Sequence, residues 1–189
     1  MRIRFTDKEI KEALKHITVL IDTREQKNEQ TIKWLEKNKI NYKEKKLDYG
    51  DYSCYIPRGT LKGIDVDIYL DNKIVIERKQ NIDELAGNFS KEDNPRLKSE
   101  FAHLKANGTR VYIFVTDNLF DKHLREGNYR SKYAAKSLYA RLKGFEAQYN
   151  TIIRPVNVEY FASEMYNTLY YYTRDLLMRN FSLEIGEGE

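Results

Sequence analysis

Hydrophobic and polar positions follow two different periods along the chain, and the period predicts which segments form helices and which form strands. After Thr6, apolar positions recur at helical intervals, and Thr6 with Glu9 has the spacing of a capping box. This pattern predicts a short N-terminal helix that lies as an appendage to the main domain. The apolar run 18–21 ends in Asp22 and predicts an inner strand, and residues 30–38 are predicted to form a helix.

A β-meander is predicted for residues 47–78. Gly50 permits a bend, and residues 66–70 alternate like a strand with one face in solvent. The turn formers at 71–72 predict a tight hairpin between that strand and the next one. Glu77 then lies near the end of the last strand of the meander.

Helices and strands alternate in the second half of the chain. The continuous apolar run 111–115 is typical of a strand that is covered on both faces, and Pro95 suits the first turn of a helix that ends at Gly108. Further helices are predicted at 82–88, 131–149 and 157–178, and a further strand at 151–154. The predicted fold class is therefore α/β, with a central mixed sheet flanked by helices.

The last predicted helix is apolar over an unusually wide arc. One stripe contains Phe161, Met165, Leu169, Tyr172 and Leu176, and a second stripe beside it contains Tyr166, Tyr170 and Leu177. The edge of a single domain covers only part of such an arc, so this helix is predicted to form a homodimer contact.

Composition narrows the class of protein. The 189 residues fit one domain, predicted to span 18–180 between a helical extension at 1–17 and a tail at 181–189. No apolar run is long enough to span a membrane and the N-terminus is too charged for a secretory signal, which predicts an intracellular, cytoplasmic protein without a membrane partner. The single cysteine, Cys54, excludes an internal disulfide and a zinc site built from thiolates.

The net charge of +4 favours a polyanionic partner only slightly. On the predicted helix 131–149, Lys132, Lys136 and Lys143 fall opposite the apolar stripe, where they are either solvated or in contact with phosphate. The chain has no glycine-rich phosphate loop, so no nucleotide cofactor is expected.

Carboxylates recur at or just after the ends of the apolar runs, namely Asp22, Asp51, Glu77 and Asp83. Mg²⁺ prefers a few carboxylate oxygens and waters, and such an ion binds a scissile phosphate and activates a water molecule. Glu77 and Lys79 lie two positions apart, so on a strand they share a face and place an ammonium group beside a metal ligand. The pattern is the minimal set of a magnesium-dependent nuclease, but salt bridges at strand ends also account for the spacing.

Three blocks carry most of these charges: Asp22-Thr23-Arg24-Glu25, Gly50-Asp51 and Glu77-Arg78-Lys79-Gln80-Asn81-Ile82-Asp83. Together they resemble the D-x-R-E, GD and ERKxxxD motifs of the XPF-type structure-specific endonucleases. The resemblance covers residues 18–178 and implies a restriction-endonuclease-like core that cuts branched, flapped or junction DNA in repair or recombination. It also implies Mg²⁺ as the cofactor, with Mn²⁺ as a substitute.

The resemblance implies a role for each motif residue. Asp51 and Glu77 hold the metal ion, with Asp22 nearby as a further ligand. Lys79 assists the attacking water and stabilises the transition state. Arg96, in a later helix, contacts phosphate. The remaining motif residues orient these groups or contact the DNA strand, and they are Arg24, Glu25, Arg78 and Asp83.

Two departures from the family pattern affect the substrate. Between Asp51 and Glu77 lie 25 residues, more than the usual spacer, and the lengthened hairpin 53–71 carries Arg58 and Lys62. This hairpin is either a DNA-reading arm or a plain surface hairpin. The family usually joins its nuclease domain to a tandem helix-hairpin-helix domain or a helicase, and this sequence carries neither, which predicts a stand-alone bacterial or phage enzyme.

Two other functions remain open from the sequence. One is a non-catalytic DNA-binding partner of an active nuclease, although such partners typically lack the charged motif. The other is a nuclease for unbranched DNA or RNA, since the same metal chemistry hydrolyses either backbone.

Overall fold

A computed structural model describes residues 5–90 and 95–179, except for the side chains of Ser90 and Arg96; the predicted tail, 181–189, lies outside these ranges. The strands are β1 (Thr18–Ile21), β2 (Asn41–Glu44), β3 (Tyr52–Ile56), β4 (Ile68–Tyr69), β5 (Ile74–Lys79), β6 (Arg110–Val115) and β7 (Thr151–Pro155). The helices are α1 (Asp7–Leu14), α2 (Glu29–Lys37), α3 (Ile82–Ser90), α4 (Pro95–Ala106), α5 (Phe120–Glu126), α6 (Ala135–Tyr149) and α7 (Phe161–Met178), and a 3₁₀ turn at Val158–Tyr160 leads into α7.

These strands form one mixed sheet in the order β2-β1-β3-β5-β6-β7, with β4 beside β3. β3 is antiparallel to β1 and to β5, whereas β6 runs parallel to β5 and β7 runs parallel to β6. The C-terminal ends of β1, β5 and β6 and the first residue of β3 consequently meet at one edge of the sheet. This edge is called the site edge below.

Helices cover both faces of the sheet. α1, α2 and α7 pack on one face, and α3 to α6 pack on the other. The alternation of strand side chains explains this division, because Ile74 and Ile76 of β5 face the first layer while Val75 between them faces the second. The predicted α/β class, a mixed sheet flanked by helices, is confirmed.

The N-terminal helix α1 is part of the core. Its capping box is formed, since the Thr6 hydroxyl accepts a hydrogen bond from Glu9 N at 3.2 Å and the Glu9 carboxylate accepts one from Thr6 N at 2.8 Å. Ile10, Ala13 and Leu14 are buried in the same cluster as α7 and the sheet. The helix is therefore not an appendage, because its apolar stripe is covered by the domain itself.

The hairpin predicted at 71–72 is wrong. β4 pairs with the last two residues of β3, and β5 pairs with the first residue of β3. A tight turn joins them, in which Leu70 O accepts the N–H of Ile74 at 2.9 Å. β4 and β5 therefore follow each other in the same direction along one edge of β3, because that edge offers hydrogen-bonding groups to both.

The long segment between β3 and β4 folds back onto the core. Leu61 and Ile64 are buried in the first layer, and Gly59 N donates to Ile64 O at 3.0 Å. Arg58 and Lys62 are exposed on this loop, which follows the end of β3 that lies opposite the site edge. The segment is thus a compact loop, and the DNA contacts of these two residues stay predictions.

α7 is covered largely by its own chain. Its buried positions step by three or four residues, and they are Phe161, Ala162, Met165, Leu169, Thr173 and Leu177. Leu169 is fully buried, and Tyr166 packs against Trp34 of α2 with ring centroids 6.1 Å apart. The wide apolar arc thus meets the sheet and α2, so it does not by itself require a second copy of the chain. The homodimer stays a prediction.

No helix among the described residues is both long and apolar enough to cross a membrane.

Candidate active site

The site edge holds Asp51 between two neighbouring strands. Asp22 N, directly after β1, donates to Asp51 O at 2.8 Å, and Asp51 N donates to Ile76 O of β5 at 2.9 Å. Gly50 precedes it in a left-handed conformation (φ +73°), and a Cβ on Gly50 would lie 3.0 Å from Val75 Cβ and 3.2 Å from Ile76 O. Glycine alone fits this bend without strain, which explains why Gly50 and Asp51 occur as a unit.

Asp51 and Glu77 form a pair of partly buried carboxylates. Burial, and after it the negative charge of Glu77, raise the pKa of Asp51 to about 8, although the backbone N–H of Arg78 donates to Asp51 Oδ2 at 2.7 Å. Among the described residues, no donor reaches Asp51 Oδ1 or Glu77 Oε2. Two carboxyl groups with unshared oxygens therefore lie side by side.

Lys79 ends β5 on the same face as Glu77, as the alternation of strand side chains requires. Its side chain is 11% exposed, and its Nζ donates to Glu77 Oε1 at 2.7 Å and to Glu84 Oε1 at 3.3 Å. Burial lowers the pKa of Lys79, but the charge of Glu77 and the hydrogen bond to it raise it, and the net shift is upward. Lys79 is therefore a cation held against the carboxylate pair.

Glu84, in the first turn of α3, is a site residue that the sequence pattern does not indicate. Besides Lys79, it binds the backbone N–H of Gln80 through Oε2 at 2.9 Å. The available signal is indirect, since carboxylates are common in the first turn of any helix and Glu84 follows the charged block closely. Its contribution is to fix the ammonium group of Lys79.

Asp22 is 2% exposed, and both of its oxygens are engaged. Oδ1 accepts from Arg24 N at 2.8 Å and Nε at 2.7 Å, and Oδ2 accepts from Arg24 Nη2 at 3.0 Å and from Leu47 N at 2.7 Å. Burial raises the pKa of Asp22, but the hydrogen bonds from Arg24 and Leu47 bring it below its ordinary value. Asp22 thus orients Arg24 towards the cleft, and its role as a metal ligand stays a prediction.

Arg78 and Glu25 lie on the opposite face of the sheet. Arg78 Nη1 donates to Lys27 O at 2.7 Å and lies 4.0 Å from Glu25 Oε1, and its guanidinium group stands 5.0 Å from the centroid of the Phe161 ring. Because strand side chains alternate, Arg78 points away from Glu77 and Lys79. Its link to the carboxylate pair is the backbone hydrogen bond to Asp51.

Asp83 contacts the loop between α5 and α6. Its Oδ1 accepts from Arg130 N at 2.8 Å, and its Oδ2 lies 3.4 Å from Arg130 Nε. The ERKxxxD block is therefore divided, with Glu77 and Lys79 at the carboxylate pair and Asp83 away from it. The side chain of Arg96 lies outside the described part of the structure, so its phosphate contact stays a prediction.

An open cleft of about 640 Å³ lies along the site edge. Four of the predicted site residues line it, together with residues of the β2–β3 loop and of α4; the lining is Asp22, Arg24, Asp48, Tyr49, Gly50, Asp51, Glu77, Ser99, Glu100 and His103. The sequence pattern does not indicate the contribution of α4. Ser99, Glu100 and His103 do share a helix face by spacing, but only the packing of α4 shows that this face meets the cleft.

The carboxylate pair fits a hard divalent cation. Within residues 5–90 and 95–179, no three His, Cys, Asp or Glu side chains form a ready-made metal cluster. Asp51 and Glu77 nevertheless offer unshared oxygens and repel each other, which a cation would relieve. Mg²⁺ is commonly bound by one or two carboxylates with waters and substrate phosphates filling the remaining positions.

Known proteins of one family are similar to this chain. A family model described as the ERCC4 domain matches residues 21–169. Among solved structures, XPF from Aeropyrum pernix is similar with a TM-score of 0.54 at 19% identity, over 84% of this chain and 66% of that chain. The same protein in complex with DNA is similar with a TM-score of 0.52 at 18% identity, over 84% and 65%. No curated protein matches the chain.

At these identities the structural matches show the fold, and they confirm the predicted XPF-type nuclease fold. The chain spans slightly less than two thirds of the length of these relatives.

Proposed function

Because the chain belongs to the ERCC4 domain family, we propose that it is a DNA endonuclease that hydrolyses phosphodiester bonds with a divalent cation. The observation that carries this proposal is the pair of Asp51 and Glu77 in an open cleft, with Lys79 bound to Glu77. Asp51 and Glu77 would hold the cation, either Mg²⁺ or Mn²⁺, through their unshared oxygens.

Phosphodiester hydrolysis requires an activated water molecule and stabilisation of the negative charge that grows on the phosphate. A cation at this pair would bind the scissile phosphate and lower the pKa of a water molecule. Hydrolysis joins the water oxygen to phosphorus and breaks one P–O ester bond, and negative charge grows on the phosphate oxygens. The attacking water gives up a proton to solvent, and the departing ester oxygen takes one up from solvent. Lys79 stabilises that charge, because Glu77 and Glu84 hold its ammonium group in place.

Arg24 is the second cation at the cleft. Its guanidinium group is held by Asp22 and by Leu47 O, which accepts from Nη2 at 2.7 Å. A planar guanidinium fixed in this way suits a phosphate oxygen of the bound strand. Its role is to orient the strand rather than to take part in bond breaking.

The proposed substrate is branched, flapped or junction DNA, met in repair or recombination. The motif resemblance to XPF-type enzymes supports this choice, and one similar solved structure is a complex with DNA. A homodimer and a cytoplasmic location are part of the same proposal.

The test is cleavage of a labelled panel with Mg²⁺: single strand, duplex, 3′ flap, 5′ flap, fork and four-way junction. We expect one branched shape to be cut by the wild type and left intact by Asp51→Asn. Asp65→Asn, on the exposed loop between β3 and β4, is the matched control and should cut normally. Lys79→Ala should cut about 10²-fold more slowly with DNA binding retained. A folded wild type that leaves every substrate uncut would contradict the proposal.

A non-catalytic DNA-binding module is the main alternative. It would bind the branched DNA without cutting it and show no rise in melting temperature with Mg²⁺. RNA versions of the same single strand and duplex separate a third possibility, a nuclease of unbranched DNA or RNA, from the proposed activity.

A further inference from the structure

Positive charge is concentrated in one segment, 122–143. It contains seven Lys and Arg residues and a single Glu, whereas the whole chain has 33 Lys and Arg against 29 Asp and Glu. The rest of the chain is therefore slightly acidic. The segment comprises most of α5, the loop after it and the first half of α6.

Several basic residues of this segment are exposed, and four of them, Arg125, Arg130, Lys132 and Lys136, are called the basic surface here. The Arg125 guanidinium lies 6.0 Å from the centroid of the Tyr139 ring, which brings the end of α5 against the exposed face of α6. Lys143 is not included, because Glu146 accepts from its Nζ at 2.7 Å and offsets its charge.

Asp83 joins the basic surface to the candidate active site. It accepts the backbone N–H of Arg130, and its sequence neighbour Glu84 binds Lys79. Two adjacent residues of α3 thus connect the loop of the basic surface with the catalytic ammonium group. The ion pair itself contributes little, since the Arg130 side chain is 93% exposed, so the main effect of Asp83 is to hold the loop backbone.

We propose that the basic surface binds the phosphates of a second duplex arm of the DNA, and that Asp83 is the positioning residue that holds this surface beside the cleft. This inference rests on the proposed function. Duplex DNA carries one charge per about 1.7 Å of its axis, so four neighbouring cations can meet several phosphates. Phosphate contacts of this kind fix orientation rather than sequence, as an enzyme that recognises branched shapes requires.

Binding without a cation tests the surface independently of cleavage. The full chain, in EDTA, is titrated onto a labelled fork and onto a duplex of equal length over a series of salt concentrations, with fluorescence anisotropy as the readout. The variant Arg130→Ala/Lys132→Ala/Lys136→Ala should lower fork affinity at least tenfold and reduce the slope of log K against log salt by about 2 to 3.

The matched control is Lys8→Ala/Lys33→Ala/Lys37→Ala, which removes the same charge from exposed positions of α1 and α2. It should keep the wild-type slope and affinity. Equal slopes in both triple variants, or no DNA binding by the wild type, would overturn the inference. The inference would also be overturned if the triple variant of the basic surface lost binding to phosphatidylserine vesicles but kept wild-type affinity for the fork.

Asp83 is tested by Asp83→Ala and Asp83→Asn. Asp83→Ala should weaken fork binding as the triple variant does, while the rise in melting temperature with Mn²⁺ stays at the wild-type value. Asp83→Asn keeps an oxygen that accepts from Arg130 N, so it should restore most of the fork affinity. Loss of the Mn²⁺-linked rise in either variant would make Asp83 a metal ligand and overturn its positioning role.

Discussion

The left-handed backbone angle of Gly50 forms the bend that places the Asp51 carboxylate at the site edge. The left-handed angle of Gly50 and its close approach to Val75 and Ile76 leave no room for a Cβ. We therefore expect Gly50→Ala to lower the free energy of unfolding by roughly 2 kcal/mol, measured by urea denaturation. Gly144→Ala is the control, because Gly144 lies in α6 with open space at its Cβ position, and it should be neutral or stabilising by up to about 1 kcal/mol. Equal effects of the two substitutions would contradict this account of the bend.

The raised pKa of Asp51 predicts a pH dependence of stability. Its pKa is about 8 in the folded chain against an ordinary value of 3.8, so between these values the folded state binds one proton more than the unfolded state. The free energy of unfolding without metal should consequently fall as the pH rises towards 8, by at most about 1.4 kcal/mol per pH unit. Urea denaturation in EDTA at several pH values would measure it.

Asp51→Asn removes this titration. The variant should lose less stability than the wild type over the same pH range, and at pH 8 it should be the more stable of the two. Parallel curves for both proteins would show that Asp51 titrates near its ordinary pKa in the folded chain.

At the scale of elements, α7 shows where helical periodicity is reliable and where it drifts. The pattern correctly predicts Phe161, Met165 and Leu169 as one buried stripe. Beyond them this stripe continues with Tyr172 and Leu176, which are only partly buried. The buried positions at this end are Leu177, which belongs to the second predicted stripe, and Thr173, which belongs to neither. A helix with 3.6 residues per turn rotates slowly against any fixed step, and a threonine does not count as apolar in a pattern.

Burial of Leu169 makes α7 a structural element of the single chain. Leu169→Ala should lower the free energy of unfolding by about 2 to 5 kcal/mol, because it leaves a cavity between the helix and the sheet. Tyr171→Ala, two positions on and 62% exposed, should change it by less than about 0.5 kcal/mol. Thermal or urea unfolding of both variants would check this, and a mild effect of Leu169→Ala would mean that the helix packs loosely.

Strand pairing is the element property that the sequence predicted least well. Strand existence follows from local apolar runs and alternation, and β1 and β6 were predicted within a residue at each end. The pairing of β4 and β5 with one edge of β3 depends instead on which hydrogen-bonding groups are free in the assembled sheet. The turn-forming residues at 71–72 do not show whether the two strands that they join pair with each other or both pair with β3.

At the scale of the whole molecule, the homodimer can be tested without damaging the core. Tyr171 and Met178 are exposed on α7, so Tyr171→Glu/Met178→Glu should shift a dimer to the monomer mass of 22.5 kDa in light scattering. Val66→Glu, at an exposed apolar position on the β3–β4 loop, is the control and should keep the dimer mass. A wild type that already has the monomer mass, or a double variant whose mass is unchanged, would refute a dimer through this helix.

Local patterns in the sequence are enough to predict the α/β class, the positions of most helices and strands, and the charged blocks that resemble the motifs of the family. These features are local, because periodicity, caps and motifs lie within a few residues of one another. Which charged side chains meet depends on the folded chain. Folding places Asp51 beside Glu77 although 25 residues lie between them, and it places Glu84 at Lys79. It also directs the side chains of Arg78 and Asp83 away from the carboxylate pair. Such contacts depend on strand order, on the alternation of side chains across the sheet and on helix packing, which no single segment of the sequence specifies.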